Sequence, residues 1–289
     1  MNLSPDWTWD SAYPAPAKLN LFLHVTGRRP DGYHLLQTVF RLVDRSDTLR
    51  FAPREDGAVR LAQPLPGVPE DRDLTVRAAR LLLQEAGLTG RRGVTIALDK
   101  QLPMGGGLGG GSSDAATVLL ALNHLWRLGL PRSRLQALGL SLGADVPVFV
   151  FGDNAFAEGV GEQLQKISLA AAWYLVLVPP VQVPTAAIFG APGLRRDTPA
   201  LAPAAWRPGR GHNDLQPVAV AVAPVIGELI DWLAGFADAR MTGSGSCVFA
   251  PFASRAEAEV VLAQRPAGVA GWVARGLDQH PLRTLCADD

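Results

Sequence analysis

The chain has 289 residues, and its 27 basic side chains balance 27 acidic ones, so the formal net charge is zero. This balance argues against a protein that binds nucleic acid through bulk positive charge. Hydrophobic residues make up 48% of the sequence, enough for a large core and too many for a chain that is disordered throughout. Length and hydrophobicity together indicate one large domain or two of medium size.

Composition also bears on the compartment. Cys247 and Cys286 are the only cysteines, too few for a disulfide framework or for a structural zinc site of their own. The longest strongly apolar stretch, 169–178, is too short to span a bilayer. Residues 1–10 lack the basic start and apolar segment of a signal peptide. We therefore expect a cytoplasmic protein that binds neither membrane nor nucleic acid.

The first half of the chain alternates predicted strands and helices. Apolar alternation predicts a strand at 17–26, and further short strands are predicted at 35–43, 47–51, 58–61 and 94–98. Helical spacing predicts helices at 74–86, 112–128 and 135–142, and 146–151 is an apolar segment ahead of a turn.

The second half continues this mixture. Strands are predicted at 173–178 and 271–275, a strand, glycine turn and strand at 240–252, and helices at 253–263 and within 214–234 on either side of Pro224. The segment 192–210, rich in Pro, Ala and Arg, is predicted to be a surface loop. Clusters of strands separated by helices indicate an α+β protein with two lobes, which we place at 1–165 and 166–289.

The most informative segment is the glycine loop, LPMGGGLGGGSS at 102–113. It follows a predicted strand and precedes an apolar helix, and six of the seven residues at 105–111 are glycine. Glycine lets the backbone approach a ligand closely, and a helix N-terminus offers unpaired N–H groups to an anion. The loop therefore predicts a phosphate site, in which Ser113 would reach a metal-bound phosphate.

Two common phosphate loops fit poorly. A Walker A loop needs a lysine after its last glycine, and none stands there. The spacing G-x-G-x-x-G occurs at 105–110, but no acidic residue stands about twenty residues later, at 128–133, to bind a ribose. A dehydrogenase or a non-catalytic nucleotide-binding module remains an alternative of a different class.

The glycine loop resembles the second motif of the GHMP kinase superfamily, here PMGGGLGGGSSDA at 103–115. The segments PAKLNL at 16–21 and MTGSGSC at 241–247 resemble its first and third motifs. Within the superfamily, 16–34, 102–116 and 142–162 are most similar to the 4-diphosphocytidyl-2-C-methyl-D-erythritol kinases. The resemblance implies a two-lobed GHMP kinase fold. Its N-terminal lobe would be ribosomal-protein-S5-domain-2-like, its C-terminal lobe a ferredoxin-like α/β lobe, and its active site the cleft between them.

The resemblance also implies an activity. It is ATP-dependent phosphorylation of the 2-hydroxyl of 4-diphosphocytidyl-2-C-methyl-D-erythritol in the non-mevalonate route to isopentenyl diphosphate, with ATP and Mg²⁺ as cofactors. Another GHMP kinase, acting on homoserine, mevalonate or a sugar, is the alternative within the superfamily. We expect a monomer or weak homodimer, and no acidic pair has convincing spacing for a metal.

Two residues are the candidates for catalysis. Lys18, one of only three lysines, lies in an apolar-alternating strand, where a lysine is costly unless it is paired. The resemblance places the catalytic aspartate at Asp145, which would take the proton of the attacking hydroxyl. A Lys18–Asp145 pair would hold both charges, and Asn20, on the same face as Lys18, would hydrogen-bond Lys18 or the substrate hydroxyl.

The remaining candidates bind ligands. For ATP they are Lys100, Pro103, Met104, Gly105, Gly106, Gly107, Leu108, Gly109, Gly110, Gly111, Ser112 and Ser113. The resemblance implies that Tyr33 stacks on the cytosine and His34 hydrogen-bonds it. It implies that Phe189 closes the stack from the second lobe and that Thr185 contacts a substrate phosphate. Base stacking contributes about 1–3 kcal/mol, enough to favour a cytidylyl substrate over a bare polyol.

Overall fold

The structure is a computed structural model that describes residues 6–288. Half of the stretch 1–10, for which we expected no signal peptide, therefore lies outside the described residues. No helix within 6–288 is long and apolar enough to cross a membrane. The described chain is α+β, with two separate sheets as predicted.

The first lobe is built on a six-stranded sheet with four helices. Its elements are β1 (Tyr13–Arg28), β2 (His34–Arg54), β3 (Val59–Leu61), α1 (Leu74–Glu85), β4 (Gly93–Asp99), α2 (Gly110–Leu125), α3 (Arg132–Leu142), α4 (Val146–Phe151), β5 (Ala155–Glu158) and β6 (Gln163–Lys166). The strand order is β3-β4-β2-β5-β6, and β1 pairs antiparallel with β2. Helix α2 is buried along nearly its whole length, which explains its almost continuous apolar sequence.

Three features differ from the sequence predictions for this lobe. The strands predicted at 35–43 and 47–51 are one strand, because residues 44 and 45 form a register shift against β1 and not a turn. The segment 146–151 is a helix, started by Pro147 in its first turn and ended by Gly152 in the left-handed conformation. The hairpin of β5 and β6 was not predicted, because four-residue strands carry little periodic signal.

The second lobe has a four-stranded antiparallel sheet. Its elements are β7 (Trp173–Val178), α5 (Thr185–Gly190), α6 (Gln216–Val222), α7 (Val225–Ala234), β8 (Arg240–Met241), β9 (Val248–Phe252), α8 (Arg255–Ala263) and β10 (Ala270–Arg275). The order β10-β7-β9-β8 is 4-1-3-2 when the strands are counted within the lobe, which is the predicted ferredoxin-like arrangement. The break between α6 and α7 falls at Pro224, as expected.

The chain after β10 returns to the first lobe. Leu282 is fully buried in the core beneath α2 to α4. The buried guanidinium of Arg132 donates to the carbonyls of Val150, Arg283 and Cys286 at 2.5 to 2.6 Å. These bonds fasten the C-terminal segment to α3 and α4. The division of the lobes at 165 and 166 remains a prediction.

Candidate active site

A cavity of about 990 Å³ lies between the lobes. The first lobe contributes β1, the glycine loop and Asp145, and the second lobe contributes α5 and the turn at Gly243 and Ser244. The cavity is lined by all the predicted site residues except Ser113: Lys18, Asn20, Tyr33, His34, Lys100, the residues of 103–112, Asp145, Thr185 and Phe189. Ser113 is fully buried behind the loop. Segments far apart in sequence therefore meet in one cleft.

The charged pair at the centre of the cleft joins Lys18 and Asp145. Lys18 Nζ lies 3.3 Å from Asp145 Oδ2, donates to Asn20 Oδ1 at 2.5 Å and stands 5.5 Å above the centre of the Phe40 ring. The lysine side chain is 3% exposed and the aspartate 35% exposed. The pairing offsets the cost of burying the ammonium, while the carboxylate stays accessible to a ligand.

The Asp145 side chain does not cap helix α4, although its position would suit a cap. It immediately precedes α4, where an aspartate often caps a helix, but its side chain makes no capping hydrogen bond. The carboxylate is therefore available to Lys18 and to the cavity.

Asn20 links the pair to the second lobe. Its side-chain amide donates to Thr38 Oγ1 at 2.9 Å, and its backbone N–H donates to Thr242 Oγ1 at 3.0 Å. Thr242 is fully buried and belongs to the turn that follows β8. The orientation of the Asn20 carbonyl toward Lys18 thus depends on both lobes.

The glycine loop crosses this turn at very close range. Gly107 has φ +75°, and a Cβ placed there would lie 2.1 Å from the carbonyl oxygen of Thr242. Gly109, at φ +73°, is the N-cap residue of α2, and a Cβ there would lie 3.1 Å from Lys18 Cε. The Lys18 backbone N–H donates to the Leu108 carbonyl at 3.0 Å. The loop is thus held against both β1 and the second lobe, and only glycine permits that approach.

A buried ionic cluster anchors the start of the loop. The ammonium of Lys100 contacts Asp47 and lies 2.9 Å from Asp114 Oδ2. Asp47 Oδ1 also accepts the backbone N–H groups of Gln101 and Leu102, at 2.6 and 2.7 Å. Burial, with the nearby charge of Asp47, raises the pKa of Asp114 to about 8 despite the opposing effect of Lys100. The sequence reasoning missed both aspartates, because isolated acidic residues carry no periodic signal.

His34 and Phe189 meet across the cleft. Their ring centres are 5.1 Å apart, and His34 Nε2 accepts a hydrogen bond from Arg196 Nε at 3.0 Å. Burial, Arg196 and Arg28 lower the pKa of His34. Tyr33 lies at the cavity mouth and is 63% exposed. Arg196 belongs to the stretch 192–210, where no pattern singled it out.

Two further predicted residues have separate surroundings. Thr185, at the start of α5, shares a hydrogen bond of 2.8 Å with Ser244, so the two sides of the second-lobe rim touch. Ser113 Oγ and Asp114 Oδ1 are buried atoms without a hydrogen-bond partner among residues 6–288. No group of three or more His, Cys, Asp or Glu side chains within that range could hold a metal.

Comparison with known families finds a GHMP kinase model for each lobe. The model of the GHMP kinases N terminal domain matches residues 73–153, and that of the GHMP kinases C terminal matches residues 199–269. The 4-diphosphocytidyl-2-C-methyl-D-erythritol kinase of Dechloromonas aromatica is 66% identical over 274 residues, which cover 94% of this chain and 99% of that protein. The enzyme of the same name from Thiobacillus denitrificans is 66% identical over 271 residues, 94% of this chain and 97% of its own.

Solved structures give the same assignment. A crystal structure of 4-(cytidine 5'-diphospho)-2C-methyl-D-erythritol kinase is 36% identical, with a TM-score of 0.78, and covers 92% of this chain and 99% of its own. A mevalonate kinase at 14% identity and TM-score 0.68, covering 93% of this chain and all of its own, shares the fold alone. The chain therefore belongs to the GHMP kinases and, among them, to the family of 4-diphosphocytidyl-2-C-methyl-D-erythritol kinases.

Proposed function

We propose that this chain transfers the γ-phosphoryl group of ATP to the 2-hydroxyl of 4-diphosphocytidyl-2-C-methyl-D-erythritol, giving the 2-phosphate and ADP. The observation that carries the proposal is the 3.3 Å Lys18–Asp145 pair, in a cleft shared by the glycine loop and the His34–Phe189 contact. A phosphate cradle, a carboxylate and an aromatic pair in one cavity suit a nucleotide donor and an acceptor that carries a base.

In the proposed reaction, Asp145 takes the proton of the 2-hydroxyl as its oxygen attacks the γ-phosphorus. The bond from that phosphorus to the β–γ bridging oxygen breaks, and ADP leaves. Lys18 holds the carboxylate in place and offsets negative charge at the transferring group. Asn20 keeps the ammonium oriented, because its carbonyl accepts one of the three ammonium protons. Lys18 and Asp145 therefore act as one unit.

The nucleotide phosphates would lie against the glycine loop and the start of α2. There the backbone N–H groups of Gly110 and Gly111 begin a helix, whose dipole favours an anion. Mg²⁺ would neutralise phosphate charge when bound. Phosphate oxygens and water would supply most of its ligands. Lys100 completes the cradle from β4.

The base of the acceptor would lie between Tyr33 and Phe189, with His34 at its edge. Thr185, beside Ser244, would contact a substrate phosphate from the second-lobe rim. The cytoplasmic location and the monomeric or weakly dimeric state belong to this proposal too.

The test is a coupled ATPase assay on the purified chain with the cytidylyl acceptor, mevalonate and homoserine in parallel. We expect turnover with the cytidylyl acceptor alone, confirmed as a 2-phosphate by ³¹P NMR, and competitive inhibition by CMP and CDP. Turnover of mevalonate or homoserine without inhibition by cytidine nucleotides would instead support the alternative within the superfamily.

A further inference from the structure

Arg196 makes four hydrogen bonds around the rim of the cavity. Besides the bond to His34, its guanidinium donates to the carbonyls of Phe189, Ala191 and Leu194 at 2.9 to 3.0 Å. One side chain therefore ties His34 of the first lobe to the C-terminal end of α5 in the second. None of the predicted site residues makes this link.

The bond between Arg196 and His34 fixes the state of the imidazole. An arginine nitrogen only donates, so His34 Nε2 must carry the lone pair that accepts. A neutral imidazole that accepts at Nε2 carries its proton on Nδ1. Among residues 6–288, His34 Nδ1 has no hydrogen-bond partner, and His34 lines the cavity. Nδ1–H is then a donor available to a ligand.

The charged groups around His34 also favour the neutral imidazole. Arg28 on β1 and Arg196 after α5 both disfavour a second proton, and together with burial they lower the pKa of His34. The carboxylate of Asp31, in the adjoining turn, is engaged by Arg29 at 2.7 Å and by the Tyr33 N–H at 3.2 Å. The Phe189 ring covers the imidazole from the second lobe. His34 is therefore held neutral as well as in one tautomer.

A fixed donor discriminates between the two pyrimidines. Cytosine has an acceptor at N3, whereas uracil has an N3–H donor in the same place. A site built to donate to an acceptor rejects an analogue that presents a donor, because both groups then stay unpaired. We propose that Arg196 is a positioning residue for base specificity: it locks His34 as the neutral Nδ1–H tautomer, so that the cavity accepts cytosine at N3 and rejects uracil. The base preference rests on the proposed function, whereas the tautomer does not.

The first test needs no substrate. In ¹⁵N-histidine NMR spectra of the free protein, with His34 assigned through His34→Gln, we expect Nδ1 protonated and Nε2 unprotonated at pH 7.5, with the ring gaining its second proton only below its ordinary pKa of about 6.5. In Arg196→Met the pKa of His34 should rise toward its ordinary value without reaching it, because burial and Arg28 remain, and the ring should exchange tautomers. Arg196→Lys, which keeps a cationic donor, should restore most of the wild-type behaviour. Arg195→Met is the matched control, because the one ion pair of Arg195 within residues 6–288 is with exposed Asp197.

The second test compares CMP and UMP binding by calorimetry. We expect the wild-type and Arg195→Met proteins to prefer CMP, and Arg196→Met to lose roughly 10-fold or more of that preference. An Nε2–H tautomer in the wild type, or an unchanged titration of His34 in Arg196→Met, would overturn the proposal. So would an unchanged CMP preference in Arg196→Met, because the donor would then face O2, which both bases share. The expected tautomer without any CMP binding would refute the proposed function, and with it the base preference.

Discussion

Substituting Gly107 by alanine tests whether the glycine loop must touch the second lobe. A non-glycine residue in the left-handed conformation costs about 1–2 kcal/mol. The new Cβ would lie 2.1 Å from the Thr242 carbonyl oxygen, and a backbone atom has no rotamer by which to move away. Relieving such overpacking costs about 1–3 kcal/mol, so we expect the free energy of unfolding to fall by about 2–5 kcal/mol.

The matched control is Gly87→Ala. Gly87 also has positive φ, +64°, but a Cβ there meets nothing within 4 Å, so only the conformational cost of about 1–2 kcal/mol applies. Urea unfolding measures both variants. Displacing Thr242 also disturbs Asn20, so kcat/KM should fall at least about 10-fold in Gly107→Ala and stay unchanged in Gly87→Ala. Equal losses of unfolding free energy in the two variants, with full activity in both, would refute the close contact between Gly107 and Thr242.

Two further predictions concern buried charges. Because the folded-state pKa of Asp114 is about 8 and that of an unfolded aspartate about 3.9, the folded chain holds a proton that the unfolded chain releases. The free energy of unfolding should therefore decrease as pH rises from about 4 to about 8, and Asp114→Asn should make that decrease smaller. Urea unfolding at pH 5 and at pH 8.5 measures the change. An equal change in the wild type and in Asp114→Asn would contradict the assignment. Arg132→Met removes three bonds to buried carbonyls and should cost about 3–5 kcal/mol in the same assay while kcat/KM of the folded enzyme is retained. A loss below about 1 kcal/mol would show that the C-terminal segment is held by other contacts.

The sequence was most informative where a pattern is local. A short continuous apolar run located β7 with its observed bounds, and the glycine loop stands between a strand and a helix as predicted. The cost of a lysine inside an apolar strand correctly anticipated that Lys18 is paired, and the family resemblance supplied Asp145 as the partner. These inferences needed only neighbouring residues or a known motif.

The residues that were missed act across long sequence separations. Asp47 contacts Lys100 from 53 positions away, and Arg196 reaches His34 from 162 positions away. Each is a single polar side chain whose partner is brought near only by the fold. Helix α5 was missed for another reason: six residues after Pro184 are too few to show helical periodicity.

The most direct test of the account is the rate of phosphoryl transfer by Asp145→Asn. The amide keeps the shape of the side chain but cannot take the hydroxyl proton, so kcat should fall by roughly 10²- to 10⁴-fold. Binding of ATP and CMP, measured separately by calorimetry, should change by less than about threefold. Asp231→Asn, on the exposed side of α7, serves as the control and should behave as the wild type. A kcat for Asp145→Asn equal to that of the wild type would contradict the central claim that this carboxylate activates the attacking oxygen.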